Sequence, residues 1–243
     1  MYSLLKKEII AFFSSLTGYI VIIVFLAANS LLLWIIPGNY NIFDIGYASL
    51  EPFFEISPWV FLFLVSAVSM KMIAEEKRLG TFDLLLSKPL SETQIILAKY
   101  FAIVTLVLIS IIPTIIFFFS LYFLGNPVGN IDVGGTAGSY IGLFFLASIY
   151  AAIGLFASSL TDNQIIAFVL SVILSLIMYI GFDAITSLNV FYGHEYFISQ
   201  LGINEHYKSI SRGVIDLKDV VYFLSAAALF LVSTRTVIQS RRW

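Results

Sequence analysis

Residues 70–89 read MKMIAEEKRLGTFDLLLSKP, a charged stretch between two long apolar runs, Trp59 to Ile73 and Ile95 to Leu124. Glu75, Glu76, Lys77 and Arg78 are four consecutive charges in a chain that is only 12% charged. A charge at bilayer depth is expensive, so this cluster must meet water or protein. Gly80 offers a stop to the helix that carries the charges. Thr81 then offers a cap for a second, short helix, Phe82 to Ser87, with the apolar run Leu84-Leu85-Leu86. Pro89 ends that helix, and Ser91 with Gln94 three residues on forms a capping-box pattern. The expected shape is helix, break, short apolar helix, break, helix, with residues 74–94 on one side of a membrane. Three leucines in water need a cover, so the stretch reads as a docking element.

Outward from this stretch, composition sets the class. The 243 residues are 60% hydrophobic, and the mean hydropathy is +0.98. A soluble domain of this size cannot hide so much apolar surface, which points to one all-α polytopic membrane domain over residues 1–243. Six spans are expected at about 19–36, 59–79, 95–124, 140–157, 165–182 and 220–238. Ahead of them Tyr2, Leu5, Ile9, Phe12, Phe13 and Leu16 recur at helical spacing. They read as an amphipathic helix in the interface, or else as the near end of span one. No small-residue cleavage pattern follows, so this segment is expected to be retained.

Local signals place the remaining boundaries. Pro37-Gly38 closes span one, whose Asn29 is suited to an interhelical hydrogen bond. Ser57-Pro58 reads as the start of span two, and Pro113 as a kink in span three. Ala147, Ala151, Gly154 and Ser158 share one face of span four, small enough for a second helix to approach closely. The glycine-rich stretch 125–139 before it reads as a loop. Thr161 and Gln164 repeat the capping-box pattern ahead of span five, and Asp216 and Asp219 are expected to cap span six. Between these, residues 183–219 carry Phe191, Tyr192, Tyr196, Phe197 and Tyr207, as interfacial short helices would.

Charge gives the orientation. Lys6, Lys7, Lys71, Lys77, Arg78, Lys88, Lys99, Arg235, Arg241 and Arg242 fall on one side of the six spans. Only Lys208, Arg212 and Lys218 fall on the other, so the termini and the 70–89 stretch are expected in the cytoplasm.

Chemistry narrows the function. Net charge is −2 and no basic run exists, which argues against nucleic-acid binding. There is no cysteine, hence no disulfide, thiolate catalysis or cysteine-held metal. The apolar cores of spans one to five hold no ionisable residue that could bind a coupling ion. No Gly-x-x-x-x-Gly-Lys-Ser/Thr loop is present, so the chain is not read as an ATPase. His194-Glu195 and Glu205-His206 lie too far apart, and outside any His-Glu-x-x-His pattern, to suggest a metal site. An intramembrane serine protease would want a histidine in a span, and none is there. Energy for any transport must therefore enter from outside the membrane, through the charged stretch.

The run from Glu75 to Pro89 resembles the segment between spans two and three of type-2 ABC exporter permeases. His206 to Asp216, with Asp219 and Tyr222-Phe223-Leu224-Ser225, is similar to the permease subunit associated with bacterial gliding motility. This resemblance implies a six-span permease of the bacterial inner membrane, without catalysis or cofactor of its own. It implies a second permease copy, homo- or heterodimeric, and a cytosolic ATPase subunit holding ATP and Mg. Lys6 to Phe13 would be the family's connecting helix and Thr81 to Ser87 its coupling helix. Glu75, Glu76, Lys77, Arg78, Gly80, Thr81, Leu84, Leu85 and Leu86 would then meet the ATPase. The rival reading is a membrane scaffold for envelope machinery that transports nothing.

Reporter fusions or cysteine labelling should place Lys77, Lys88 and Trp243 in the cytoplasm, and Asp44, Asp132 and Glu205 outside. Labelling of a cysteine at position 132 from the cytoplasmic side alone would overturn the topology.

Overall fold

Long apolar runs in this chain become helices because only intra-segment hydrogen bonds can satisfy a backbone surrounded by lipid. The computed structural model describes residues 1–187, 193 and 195–240, and no strand occurs among them. In order they form α1 (Tyr2–Phe13), α2 (Leu16–Trp34), α3 (Ile42–Ile45), α4 (Glu51–Ser69), α5 (Ala74–Arg78), α6 (Thr81–Leu86) and α7 (Glu92–Ile111). A 3₁₀ turn, Ile112–Thr114, leads into α8 (Ile115–Leu124), followed by α9 (Val133–Leu160) and α10 (Gln164–Leu176). A π-helical segment, Ile177–Gly181, joins α10 to α11 (Phe182–Ser187). The chain continues through α12 (Glu195–Ser199), α13 (Ile203–Ser211) and α14 (Leu217–Ser240). His194, Phe191, Tyr192 and the closing Arg241-Arg242-Trp243 lie outside the described residues.

Five helical stretches are long and apolar enough to cross a membrane: Glu51–Arg78, Glu92–Leu124, Val133–Leu160, Gln164–Ser187 and Leu217–Ser240. A sixth is added if Tyr2–Phe13 and Gly18–Trp34, bent by 70° from each other, count as one. The bend leaves α1 free to pack across α7.

Helix α9 is the centre, packed against α4, α7, α10, α13 and α14. Its small residues explain why. Ala147, Ala151 and Gly154 are all buried. A Cβ on Gly154 would stand 2.7 Å from the Cβ of Ser69 and 3.1 Å from the Oγ of Ser171. The seam thus faces α4 and α10 of the same chain. Helix α9 also starts earlier than expected. Asp132 caps it by accepting from the Gly135 N–H at 2.9 Å, which draws the glycine-rich residues 133–139 into the helix.

Other boundaries are corrected as well. Asn163, not Thr161, caps α10, accepting from the Ile165 N–H at 2.9 Å. Asp219 does not cap α14 but turns inward, its Oδ1 2.7 Å from the Nδ1 of His206. Helix α4 begins at Glu51, with Pro52 in its first turn, so Ser57-Pro58 lies inside it. A proline there has no N–H for the carbonyl four residues back, that of Phe54. Tyr207 of α13 supplies the missing donor: its hydroxyl donates to the Phe54 carbonyl at 2.8 Å. Burial pushes the Tyr207 phenol well above its usual pKa, which keeps that proton in place. Three local expectations hold. Pro113 sits in the 3₁₀ break, Ser91 and Gln94 form a full capping box, and Ser57 donates to Asn29 across α4 and α2 at 3.4 Å.

Tyr207→Phe should orphan the Phe54 carbonyl and lower stability in detergent by about 1–3 kcal/mol. In a Pro58→Ala background residue 58 regains its N–H, and the same substitution should cost much less. Equal losses in both backgrounds, read by thermal unfolding, would refute the assignment.

Candidate functional site

Gly80 breaks the charged stretch as expected, but the helix carrying the charges does not run on from span two: α4 ends at Ser69, residues 70–73 turn, and α5 is a short helix of its own. Helix α5 stops at Arg78, and Gly80 takes φ +68°, a left-handed turn that strains any residue with a Cβ. Gly80 itself precedes α6, and Thr81 is the first helical residue rather than the cap. The Thr81 hydroxyl donates to the Glu76 carbonyl at 3.3 Å.

The predicted residues divide between two faces. Arg78, Gly80, Thr81 and Leu84 point outward, Leu84 being 66% exposed, and Leu79 joins them at 62%. Glu75 is half-buried, 3.8 Å from Arg78. Leu85 turns inward and packs with Leu4 of α1 and with Ile95 and Ala98 of α7, while half-buried Leu86 lies against the same cluster. The expected row of three exposed leucines is therefore reduced to one. Successive helical residues point about 100° apart, so three in a row cannot share a face.

Glu76 and Lys77 also face inward. Lys77 donates to the carbonyl of Ser159 at the end of α9, where backbone carbonyls lack helical partners. Glu76 enters an ion cluster around Lys99. The Lys99 ammonium is wholly buried, 2.8 Å from Glu76 Oε2 and 3.0 Å from Glu8 Oε1. Lys7 adds a fourth charge, 3.3 Å from Glu76. Two carboxylates and two ammonium groups thus balance, and they tie α1, α5 and α7 together. Sequence reading placed Lys99 among the solvated cations and missed this cluster. The one available signal was a lysine two turns inside an apolar helix, where a buried charge requires a counter-charge.

A further residue was read only as small. Ser158 of α9 accepts from the N–H groups of Ile73 at 3.1 Å and Ala74 at 3.0 Å, and donates to the Met70 carbonyl at 3.0 Å. One hydroxyl thus serves both sides of the break between α4 and α5. Together with Lys77, it fastens the charged element to the central helix.

The geometry is a rigid platform at one end of the bundle, with Leu79 and Leu84 uncovered. A comparison with family models bears directly on it. The model described as ABC-2 family transporter protein matches residues 49–238. The chain belongs to this family. The match takes in α5, α6, α7 and the whole of α9, so the platform and its contacts with α7 and α9 lie within the family's domain, while the α1 side of the fastening lies ahead of the match. As an ABC-2 family chain it is a multi-pass membrane subunit of a generally non-catalytic kind. Membership also implies association with a nucleotide-binding ATPase and a lipid bilayer. No curated protein matches the chain. Among the described residues no group of three or more His, Asp or Glu could hold a metal ion. His206 is instead engaged by Asp219 and, through Nε2, by the Gln200 carbonyl at 2.9 Å.

Lys99→Met removes the buried cation and leaves Glu8 and Glu76 with only the exposed Lys7 beside them. Unfolding in detergent should become easier by about 3 kcal/mol or more. Adding Glu8→Gln and Glu76→Gln should recover much of that loss. A Lys99→Met chain as stable as its parent would show that the cluster is solvated and contributes little.

Proposed function

We propose that this ABC-2 family chain is the permease subunit of an ATP-driven exporter whose separate ATPase docks on the outer face of α5–α6. ATP and Mg would be held by that partner, and the permease would act as a homo- or heterodimer in the inner membrane. The side carrying α1, α5 and α6 is cytoplasmic in this reading, in accord with the excess of Lys and Arg there. The gliding-motility type of permease is the finer assignment, and it rests on the resemblance of His206 to Ser225.

The observation that carries the reading is the division of α5–α6 into a fastened inner face and an uncovered outer one. Leu85, Glu76 and Lys77 hold the element to α1, α7 and α9. Leu79 and Leu84 remain exposed beside Arg78 and Lys88. Apolar anchors give affinity to such a contact, and the charges beside them steer the approach. Because the inner face is bonded to three helices, a push on the outer face would reach the spans rather than dissipate in a loop.

Leu79→Asp with Leu84→Asp should leave the fold intact, since both side chains lie outside it. Co-purification with the ATPase should weaken by about tenfold or more, as expected when charge enters a buried apolar contact. Permease-dependent ATP hydrolysis in membranes should fall with it. Were both unchanged, the docking face would lie elsewhere. An ATPase that binds normally, with hydrolysis indifferent to the permease, would identify the chain as a scaffold.

A further inference from the structure

At the end of the bundle opposite the platform, a cleft of about 860 Å³ opens between the start of α4, the start of α9 and helix α13. That volume falls within the range of about 300–1,000 Å³ usual for small-molecule sites. Its walls carry charge in an ordered way. Glu51 and Glu55, one turn apart on α4, form an acidic ridge, while Lys208 and Arg212, one turn apart at the end of α13, form a basic one.

The two ridges belong to helices that touch, through the Tyr207 hydroxyl and the Phe54 carbonyl. Each ridge contains the chain neighbour of one of these residues. Yet among the described residues no ion pair joins the ridges, and all four side chains are exposed. Helix α13 is seated against α9 from behind. A Cβ on Gly138 of α9 would stand 2.7 Å from the Cα of Gly213, so α13 already lies as close to α9 as backbone allows. Asp132 is the one further charged residue in the lining among the described residues, and it is engaged. It caps α9 by accepting from the Gly135 N–H.

We propose that this cleft binds the headgroup of a zwitterionic phospholipid, a phosphoethanolamine with its ammonium on Glu51 and Glu55 and its phosphate near Lys208 and Arg212. A simple anion would be drawn to one ridge and repelled by the other, and a simple cation likewise. Only a ligand carrying both signs complements both ridges. The depth of the cleft favours a lipid over a soluble zwitterion. Tyr40, Tyr47 and Trp59 line it and are exposed, and Tyr and Trp side chains concentrate at the level of lipid headgroups. Phe54 and Ile180 continue the wall as apolar surface. This inference does not depend on the ATPase partner.

The test is native mass spectrometry on the full chain, stripped of lipid in detergent and offered equal amounts of phosphatidylethanolamine and phosphatidylglycerol. The unaltered chain should retain the ethanolamine lipid in about tenfold excess, the effect expected of two exposed charge contacts acting together. Glu51→Gln with Glu55→Gln should erase the preference while retaining both lipids. Lys208→Gln with Arg212→Gln should lower retention of both. Thermal unfolding confirms that each variant is folded. Should a double variant fail that check, Glu55→Gln and Arg212→Gln alone are read the same way. Equal retention of the two lipids by the unaltered chain, or a preference that survives the glutamine variants, overturns the assignment.

Discussion

A backbone carbonyl or N–H inside lipid has no water to turn to, and this constraint governs how the bundle is built. The chain breaks its own helical ladder at several places, and partners from other helices close the openings. At Pro58 the closing group is the Tyr207 hydroxyl. Between α4 and α5 it is the Ser158 hydroxyl. Ser158 lies on α9, and Tyr207 lies on α13, which packs on α9. The central helix therefore holds the fold by repairing its neighbours as well as by filling space between them.

Much of this architecture was legible from local chemistry. The break at Gly80, the capping box at Ser91 and the interruption at Pro113 are written in adjacent residues, and the structure shows each one. What escaped was set by partners far away in sequence. Ser57-Pro58 has the form of a helix start, and only Tyr207, 153 residues beyond the Phe54 carbonyl that it serves, makes a proline tolerable mid-helix. Lys99 sits near a helix end and reads as one more solvated cation until Glu8 and Glu76 are brought beside it. Leu84, Leu85 and Leu86 are equally apolar on paper. Helical rotation and the pocket formed by Leu4, Ile95 and Ala98 decide which of them is covered. Asp219 is well placed to cap α14 but finds His206 across the fold instead.

The two ends of the bundle use charge in opposite ways. At the platform, ammonium and carboxylate groups are matched within the chain, and one of them is sealed from water. Such a cluster fixes geometry, because any displacement would separate charges in a poorly screened environment. In the proposed complex a force on α5–α6 would then move α1, α7 and the end of α9 together. At the opposite end the ridges on α4 and α13 are exposed and form no ion pair with each other, which leaves them open to something outside the chain. Rigidity at one end and receptivity at the other follow from a single difference, whether opposite charges are allowed to meet.

The bond between Tyr207 and Phe54 also has a consequence for biogenesis. A polypeptide is made from its N-terminus, so α4 is complete well before Tyr207 has been synthesised. During that interval the Phe54 carbonyl has no donor in its own helix, and water or the insertion machinery must serve it. Helix α13 is thus a ligand for α4, which reaches its final environment only after α13 has been made.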